Sequence, residues 1–137
     1  MVADLVVFLS LAVLCNTSLP VAFDPVLIFY AASHTMHAAC AFATAGSLCA
    51  GLAGVADVKL LGHVQTHVSE KWLKWLPYWR GRRFYVLTFL FALLPLPFSV
   101  VRLAVLRHQP GIVPYGLAII LGRLPRYLLV VVFMSRL

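Results

Sequence analysis

The chain has 137 residues, of which 63% are hydrophobic and only 11% are charged, and its mean hydropathy is +0.97. This composition argues against a water-soluble globule, because too few polar side chains remain to cover the surface of a protein of this size. The net charge of +7 does not indicate nucleic-acid binding, since the apolar segments need lipid and offer no element that reads a groove. We expect an all-α integral membrane protein with a single membrane domain over residues 1–137.

The first half of the chain, residues 1–63, opens with an apolar run that is too short to span a bilayer. Pro20 and Pro25 follow it and lie on either side of Asp24. Two prolines so close together interrupt a continuous helix, because each lacks a backbone N–H and disfavours helical geometry in the residue before it. The chain is therefore expected to bend here at membrane depth.

Residues 34–63 read as one long apolar helix that is rich in small side chains. Ala43, Ser47 and Gly51 recur at every fourth position, and Gly54 belongs to a second stripe of the same kind. Small residues at this spacing let another helix approach closely. These four residues are predicted to form a helix-packing surface, for which a larger membrane complex is one candidate partner.

The interval 64–83 links the two halves and is the most polar part of the chain. Its basic portion, residues 71–83, is rich in lysine and arginine and follows a single acid, Glu70. Trp72 and Trp75 are interleaved with these charges, a mixture that is typical of the interface between membrane and water. We expect a short amphipathic helix on the membrane surface, on the cytoplasmic side, because basic loops tend to stay there.

The second half, residues 84–137, is also interrupted where a spanning helix should continue. Pro95 and Pro97 lie inside an apolar segment, and the sequence around them resembles that around Pro20. Interrupted segments at corresponding positions of two halves are typical of inverted repeats whose broken helices meet near the bilayer midplane. We therefore predict an inverted-repeat architecture with two proline-broken re-entrant hairpins and spanning helices. Four kinked helices that all span the membrane are the alternative.

Five ionisable side chains lie inside apolar stretches, where a charge is costly and usually faces the protein interior, a partner or water. Two are acids and three are arginines: Asp24, Asp57, Arg102, Arg123 and Arg126. If all five share one polar cavity, the carboxylates leave one guanidinium without a counter-charge, which an anionic ligand such as a phosphate would supply. The alternative is that Arg123 and Arg126 extend to a membrane surface and the acids merely pair with them.

No catalytic arrangement is recognisable in the sequence. It contains neither a nucleophile–base–acid arrangement nor a glycine-rich phosphate loop, so we expect a protein that is not an enzyme. The pairs His34 with His37 and His63 with His67 each share a helix face, but they lie near opposite ends of the long helix. No metal and no other cofactor is predicted.

Several stretches resemble the DedA/VTT superfamily of membrane proteins, in the family's order. Residues 18–27 resemble its first re-entrant motif, in which a proline-flanked acid precedes an apolar run, and residues 46–62 with Asp57 resemble the helix that follows. Residues 94–102 and 122–127 resemble the second re-entrant motif and the helix after it. The resemblance covers most of the chain.

This resemblance implies two facing re-entrant hairpins and a flippase-like or scramblase-like role, in which phospholipid or polyprenyl-phosphate head groups move between leaflets, with proton coupling in some members. It implies proton-linked positions at Asp24 and Asp57 and head-group contacts at Arg102, Arg123 and Arg126. The chain departs from the family in carrying Asp at position 24, where Glu is more usual, and in being short. It is therefore expected to work as a homo-oligomer or as an accessory subunit of a membrane complex, in a bacterial inner membrane.

Overall fold

The computed structural model describes residues 2–16 and 24–137, and the side chains of residues 12–16 and of Asp24 lie outside that description. Within this part of the chain there are α-helices and no strands, which confirms the predicted all-α class. The helices are α1 (Val2–Asn16), α2 (Asp24–Ser33), α3 (Met36–Gln65), α4 (Glu70–Leu73), α5 (Arg82–Leu93), α6 (Ser99–Arg107) and α7 (Ile112–Met134). Pro20 lies outside the described residues.

Two helices, α3 and α7, are long and apolar enough to cross a membrane. α3 has 30 residues and α7 has 23, and the most apolar 18-residue segments of these helices have mean hydropathies of 1.6 and 1.9. Only 28% of this segment of α7 is buried inside the protein, and Leu121, Leu129 and Phe133 are more than half exposed. The core helix of a water-soluble protein would be covered by its neighbours, so this outward apolar surface favours membrane association.

The small residues of α3 form the surface on which α7 packs. A side chain added at Gly51 or Gly54 would collide with isoleucine side chains of α7. Ala43 and Ser47, which lie nearer the start of α3, are fully buried. The helix that approaches this surface is therefore α7 of the same chain, and close approach needs the absence of large side chains on α3.

α1 and α2 form a helical hairpin beside the start of α3. Phe8 and Tyr30 are in edge contact, with ring centroids 4.9 Å apart, and the Tyr30 hydroxyl donates to the carbonyl of Asp4 at 3.2 Å. Both rings contact Phe42 of α3, and the same cluster includes Tyr127 from the second half of α7. The open end of this hairpin thus lies where α3 begins and where α7 approaches its end.

α5 and α6 form a second hairpin, whose helices are separated by residues 94–98. Pro95 and Pro97 lie in this segment, so α5 ends at Leu93 and α6 begins at Ser99, as expected where backbone N–H groups are missing. The two helices have 12 and 9 residues and are about 18 and 14 Å long. Each is too short to cross a bilayer alone.

The second hairpin opens at the other end of the bundle. The Gly111 N–H, just before α7, donates to the Tyr85 hydroxyl near the start of α5 at 3.1 Å. Gln65, the last residue of α3, donates to the carbonyl of Arg107, the last residue of α6, at 3.4 Å. The start of α5, the end of α6, the end of α3 and the start of α7 therefore meet, at what we call the basic end of the bundle.

The linker between the two halves lies at this basic end and is less helical than its sequence predicts. α4 covers only Glu70–Leu73, which is shorter than the expected amphipathic helix. Pro77 disfavours helical geometry before it, and Arg107 instead donates hydrogen bonds to two linker carbonyls. Trp72 and Trp75 are 73% and 88% exposed, so the linker presents aromatic side chains outward without a regular helix.

Gly122 marks a close approach between α7 and α5. A Cβ at this position would lie 2.6 Å from the Cβ of Ala92 and 2.7 Å from the carbonyl oxygen of Phe89, and neither atom can move without a shift of the α5 backbone. We expect Gly122→Ala to destabilise the protein by about 1–3 kcal/mol, measured by unfolding in detergent. Gly54→Ala, which first meets the flexible tip of an isoleucine, should cost clearly less. Equal losses in the two variants would contradict this packing.

Candidate functional site

An ion pair between Asp57 and Arg102 lies at the centre of the candidate site. The Arg102 Nε is 2.9 Å from an Asp57 carboxylate oxygen, and the side chains are only 18% and 5% exposed. Asp57 comes from the face of α3 that also carries Gly54, whereas Arg102 comes from the first part of α6, next to the proline-containing break. The pair therefore joins the second hairpin to a candidate membrane span.

Arg123 of α7 adds a second cation to this ion pair. Its charge, like that of Arg102, lies within electrostatic range of Asp57. One of its terminal nitrogens donates to the Tyr127 hydroxyl at 3.2 Å, and its guanidinium carbon lies 5.1 Å from the centroid of the Phe98 ring, a cation–π contact. One carboxylate thus faces two guanidinium groups, which leaves an excess of one positive charge.

Two buried polar atoms of this region have no hydrogen-bond partner among the described residues: the Tyr115 hydroxyl and the Nε of Arg123. Tyr115 is completely buried, and it lies within electrostatic range of Asp57, Arg102 and Arg123. A buried donor without an acceptor costs about 1–3 kcal/mol. An acceptor on a bound ligand or water molecule would remove this cost. We call Asp57, Arg102, Tyr115 and Arg123 the buried cluster.

The buried cluster extends from near the basic end to the middle of α7. Measured along the helix axes from the basic end, Tyr115 is about 5 Å deep on α7, Arg102 about 8 Å deep on α6 and Asp57 about 12 Å deep on α3, while Arg123 is about 16 Å deep on α7. The apolar core of a bilayer is about 30 Å thick. If α3 and α7 span a membrane, the cluster therefore lies within the apolar core, and Arg123 is near its middle.

The remaining predicted site residues are placed differently. Arg126 is half-buried and donates to the Leu94 carbonyl at 3.3 Å, so it holds the proline-containing break against α7. Asp24 begins α2, but its side chain lies outside the described residues. Pro25 is exposed in the first turn of α2, where a missing N–H costs nothing. The structure thus brings together three of the five charged residues singled out in the sequence.

Tyr115 is a site residue that the charge pattern alone does not reveal. The signal that could have found it is spacing, because Tyr115, Arg123 and Tyr127 are separated by eight and four residues and share one face of a helix. A hydroxyl on the same face as an intramembrane arginine is a natural partner for the ligand of that arginine. The hydroxyl can donate one hydrogen bond and accept others.

The chemistry open to this cluster is binding of an anion. Guanidinium groups hold phosphate oxygens through charge-assisted hydrogen bonds, and a tyrosine hydroxyl can add a further donor. Asp57 would keep the cluster from being strongly cationic when no anion is bound. No protein-family model matches the chain, and neither a curated protein nor a solved structure matches it.

Proposed function

We propose that the protein moves anionic lipid head groups between the leaflets of a membrane through the buried cluster. The observation that carries this proposal is a pair of buried donors, on Tyr115 and Arg123, that have no hydrogen-bond partner within the described part of the chain. They lie beside the neutral Asp57–Arg102 ion pair, so the charge of Arg123 is in excess. A phosphate group supplies the missing negative charge and accepts from both donors. The acyl chains of the lipid stay in the bilayer while the head group crosses.

The arrangement of the helices supports an inverted repeat with two re-entrant hairpins. The α1–α2 hairpin precedes α3 and the α5–α6 hairpin precedes α7, and the two hairpins open at opposite ends of the bundle. Each hairpin enters the membrane from one side and returns to that side, while α3 and α7 span. This is the architecture that the resemblance to the DedA/VTT superfamily implies, with both breaks near the midplane.

The proposed mechanism depends on lowering the cost of removing water from a phosphate. An ionised group pays a large penalty in an apolar medium unless charges and hydrogen-bond partners are already in place. Arg123, at the middle of α7, and the buried Tyr115 provide such partners inside the bundle. Asp57 remains paired with Arg102 when the head group has left. Asp57, and Asp24 in the first hairpin, are the positions at which proton transfer would be coupled to movement.

The orientation of the protein follows from its basic linker. Residues 71–83 lie on the cytoplasmic side, as the positive-inside tendency requires, and the bacterial inner membrane is the proposed location. The exposed apolar faces of α3 and α7 contact lipid or a second copy of the chain, and Leu52 and Leu129 are each more than two-thirds exposed there. No catalytic step is part of this proposal.

The accessory-subunit hypothesis is the alternative, and it needs a contact surface other than the small-residue stripe. α7 of the same chain covers the stripe with Ala43, Ser47 and Gly51, so a larger complex cannot pack on it. A partner would have to bind the lipid-facing side of α3 or α7. Purification with a partner that is lost on changing Leu52 or Leu129 to a charged residue would favour this alternative.

A leaflet-exchange assay tests the leading proposal. The purified protein is reconstituted into vesicles that contain an anionic phospholipid with a fluorescent acyl chain, and a reducing agent that cannot cross the bilayer bleaches the outer leaflet. We expect the protected inner-leaflet fraction to fall with time only when the protein is present. A protected fraction that stays at the level of protein-free vesicles would contradict the proposal.

A further inference from the structure

A second feature that can bind an anion lies at the basic end, outside the buried cluster. It is a pocket of about 580 Å³ at the junction of the linker and α5, within the size range of ligand sites. Its walls are formed by Tyr78, Trp79, Arg80, Gly81, Arg83 and Leu87. Two cations and two aromatic rings therefore surround one opening.

The backbone at Gly81 brings the two arginines to the same pocket. Gly81 has φ 61° and ψ −137°, a conformation that only glycine adopts without strain. The chain turns there from the linker into α5, so that Arg80 before the turn and Arg83 after it both line the opening. Within the described part of the chain neither arginine has a carboxylate partner, so both charges are available to a ligand.

The two aromatic side chains of the pocket pack against neighbouring groups, one of which is a further cation. The Trp79 ring packs on Phe91 of α5, with centroids 5.7 Å apart. Above the Tyr78 ring lies the guanidinium of Arg107, with its central carbon 4.6 Å from the ring centroid. A third cation therefore borders the pocket, while the only acid of the linker, Glu70, is not among the lining residues.

A row of aliphatic side chains extends from the pocket along α5. Leu87 lines the pocket, and Val86 and Leu90, on adjoining positions of the same helix face, are 56% and 38% exposed. Leu94 continues this row directly after α5 and is 46% exposed. A ligand with a negative head and a long apolar tail fits this succession of cations and aliphatic side chains, whereas a small inorganic ion would use only the first part.

We propose that this pocket is a specific binding site for the head group of an anionic phospholipid, whose phosphate lies between Arg80 and Arg83 and whose acyl chain follows Val86 and Leu90. The proposal rests on the membrane placement argued above but not on translocation. The site is distinct from the buried cluster, since the two share no residue. It fixes lipid at the basic end of the bundle.

Fluorescence of Trp79 provides the test. The chain has three tryptophans, so Trp72→Phe with Trp75→Phe leaves Trp79, which lines the pocket, as the sole tryptophan. Phosphatidylglycerol with brominated acyl chains is titrated into the protein in uncharged detergent, and brominated phosphatidylcholine serves as the neutral reference. We expect saturable quenching by phosphatidylglycerol at concentrations about tenfold lower than those needed for phosphatidylcholine.

Matched variants separate the pocket from general charge attraction. Arg83→Gln should weaken quenching by phosphatidylglycerol about tenfold, and Arg83→Lys should restore part of it. Arg82→Gln removes the same charge from the neighbouring position, which does not line the pocket, and should leave binding within about twofold. Equal weakening by Arg82→Gln and Arg83→Gln would overturn the proposal.

Two further measurements separate a lipid site from a simple phosphate site and from the buried cluster. Inorganic phosphate that displaces the brominated lipid at equal concentration would overturn the lipid assignment, because it would mean that the acyl chain contributes nothing. Arg123→Gln should leave Trp79 quenching unchanged, whatever it does to leaflet exchange. A failure of translocation is thereby distinguishable from a failure of this site.

Discussion

Replacing Arg123 with glutamine is expected to slow leaflet exchange of anionic lipid by about 10- to 100-fold. Arg123 supplies the excess positive charge of the buried cluster, and its Nε has no hydrogen-bond partner among the residues that the structure describes. A charge-assisted hydrogen bond contributes about 1.5–3 kcal/mol, and its loss at the barrier for crossing gives this reduction in rate. Glutamine keeps a polar side chain, so the variant should still fold. The rate is measured in the reconstituted vesicles described above.

The matched control for this variant is Arg136→Gln. Arg136 follows α7, is exposed and carries the same charge, so its replacement should leave the rate within about twofold. Arg123→Lys keeps the charge but loses the planar, bidentate geometry, so its exchange rate should lie between those of Arg123→Gln and Arg136→Gln. Wild-type exchange rates in a folded Arg123→Gln protein would reject the role of the buried cluster in transport.

Asp57→Asn is expected to produce the largest loss of stability, about 3–5 kcal/mol. Asp57 is 4% exposed and faces Arg102 at 2.9 Å. Asparagine has almost the same shape, so packing is kept while the carboxylate charge that balances the guanidinium groups is removed. Breaking a buried pair by removing one partner is strongly destabilising, because it leaves an uncompensated charge. Thermal unfolding in detergent measures the effect.

A double-mutant cycle assigns this loss to charge. Arg102→Gln in the Asp57→Asn background should recover much of the stability, since the remaining groups are neutral and can bond to each other. Glu70→Gln, at an exposed position of the linker, should change stability little. Losses in the Asp57 and Arg102 single variants that simply add up in the double variant would contradict a direct coupling between the two side chains.

The second break and the long helix α3 follow from local chemistry, so the sequence is enough to predict them. Pro95 and Pro97 end α5 because proline lacks the N–H that a helix needs. The predicted helix over 34–63 is confirmed by α3, with each end displaced by two residues. Here the residue types at adjacent positions decide the structure.

Which distant residues meet cannot be predicted in the same way. Asp57 and Arg102 are far apart in the chain, and only the packing of α6 on α3 brings them together. The partner of the Ser47 and Gly51 stripe is a similar case, because small residues indicate a close approach but not the identity of the approaching helix. Tyr115 is hard to single out since a lone tyrosine in an apolar segment is most often a packing residue.

Ser99 offers a direct test of whether an anion-accessible positive site lies inside a membrane-embedded bundle. Ser99 is exposed, begins α6 at the hairpin break and lies one turn from Arg102. In a chain whose three native cysteines are replaced by alanine, Ser99→Cys introduces a single thiol at this depth. Its reaction rate is measured in vesicles with two water-soluble thiosulfonate reagents of similar size, one anionic and one cationic.

We expect the anionic reagent to modify the thiol at position 99 several-fold faster, because the excess positive charge of the cluster attracts anions, and we expect this preference to disappear in the Arg123→Gln background. A thiol that reacts with neither reagent, or a preference that persists without Arg123, would contradict an anion-accessible site that depends on Arg123.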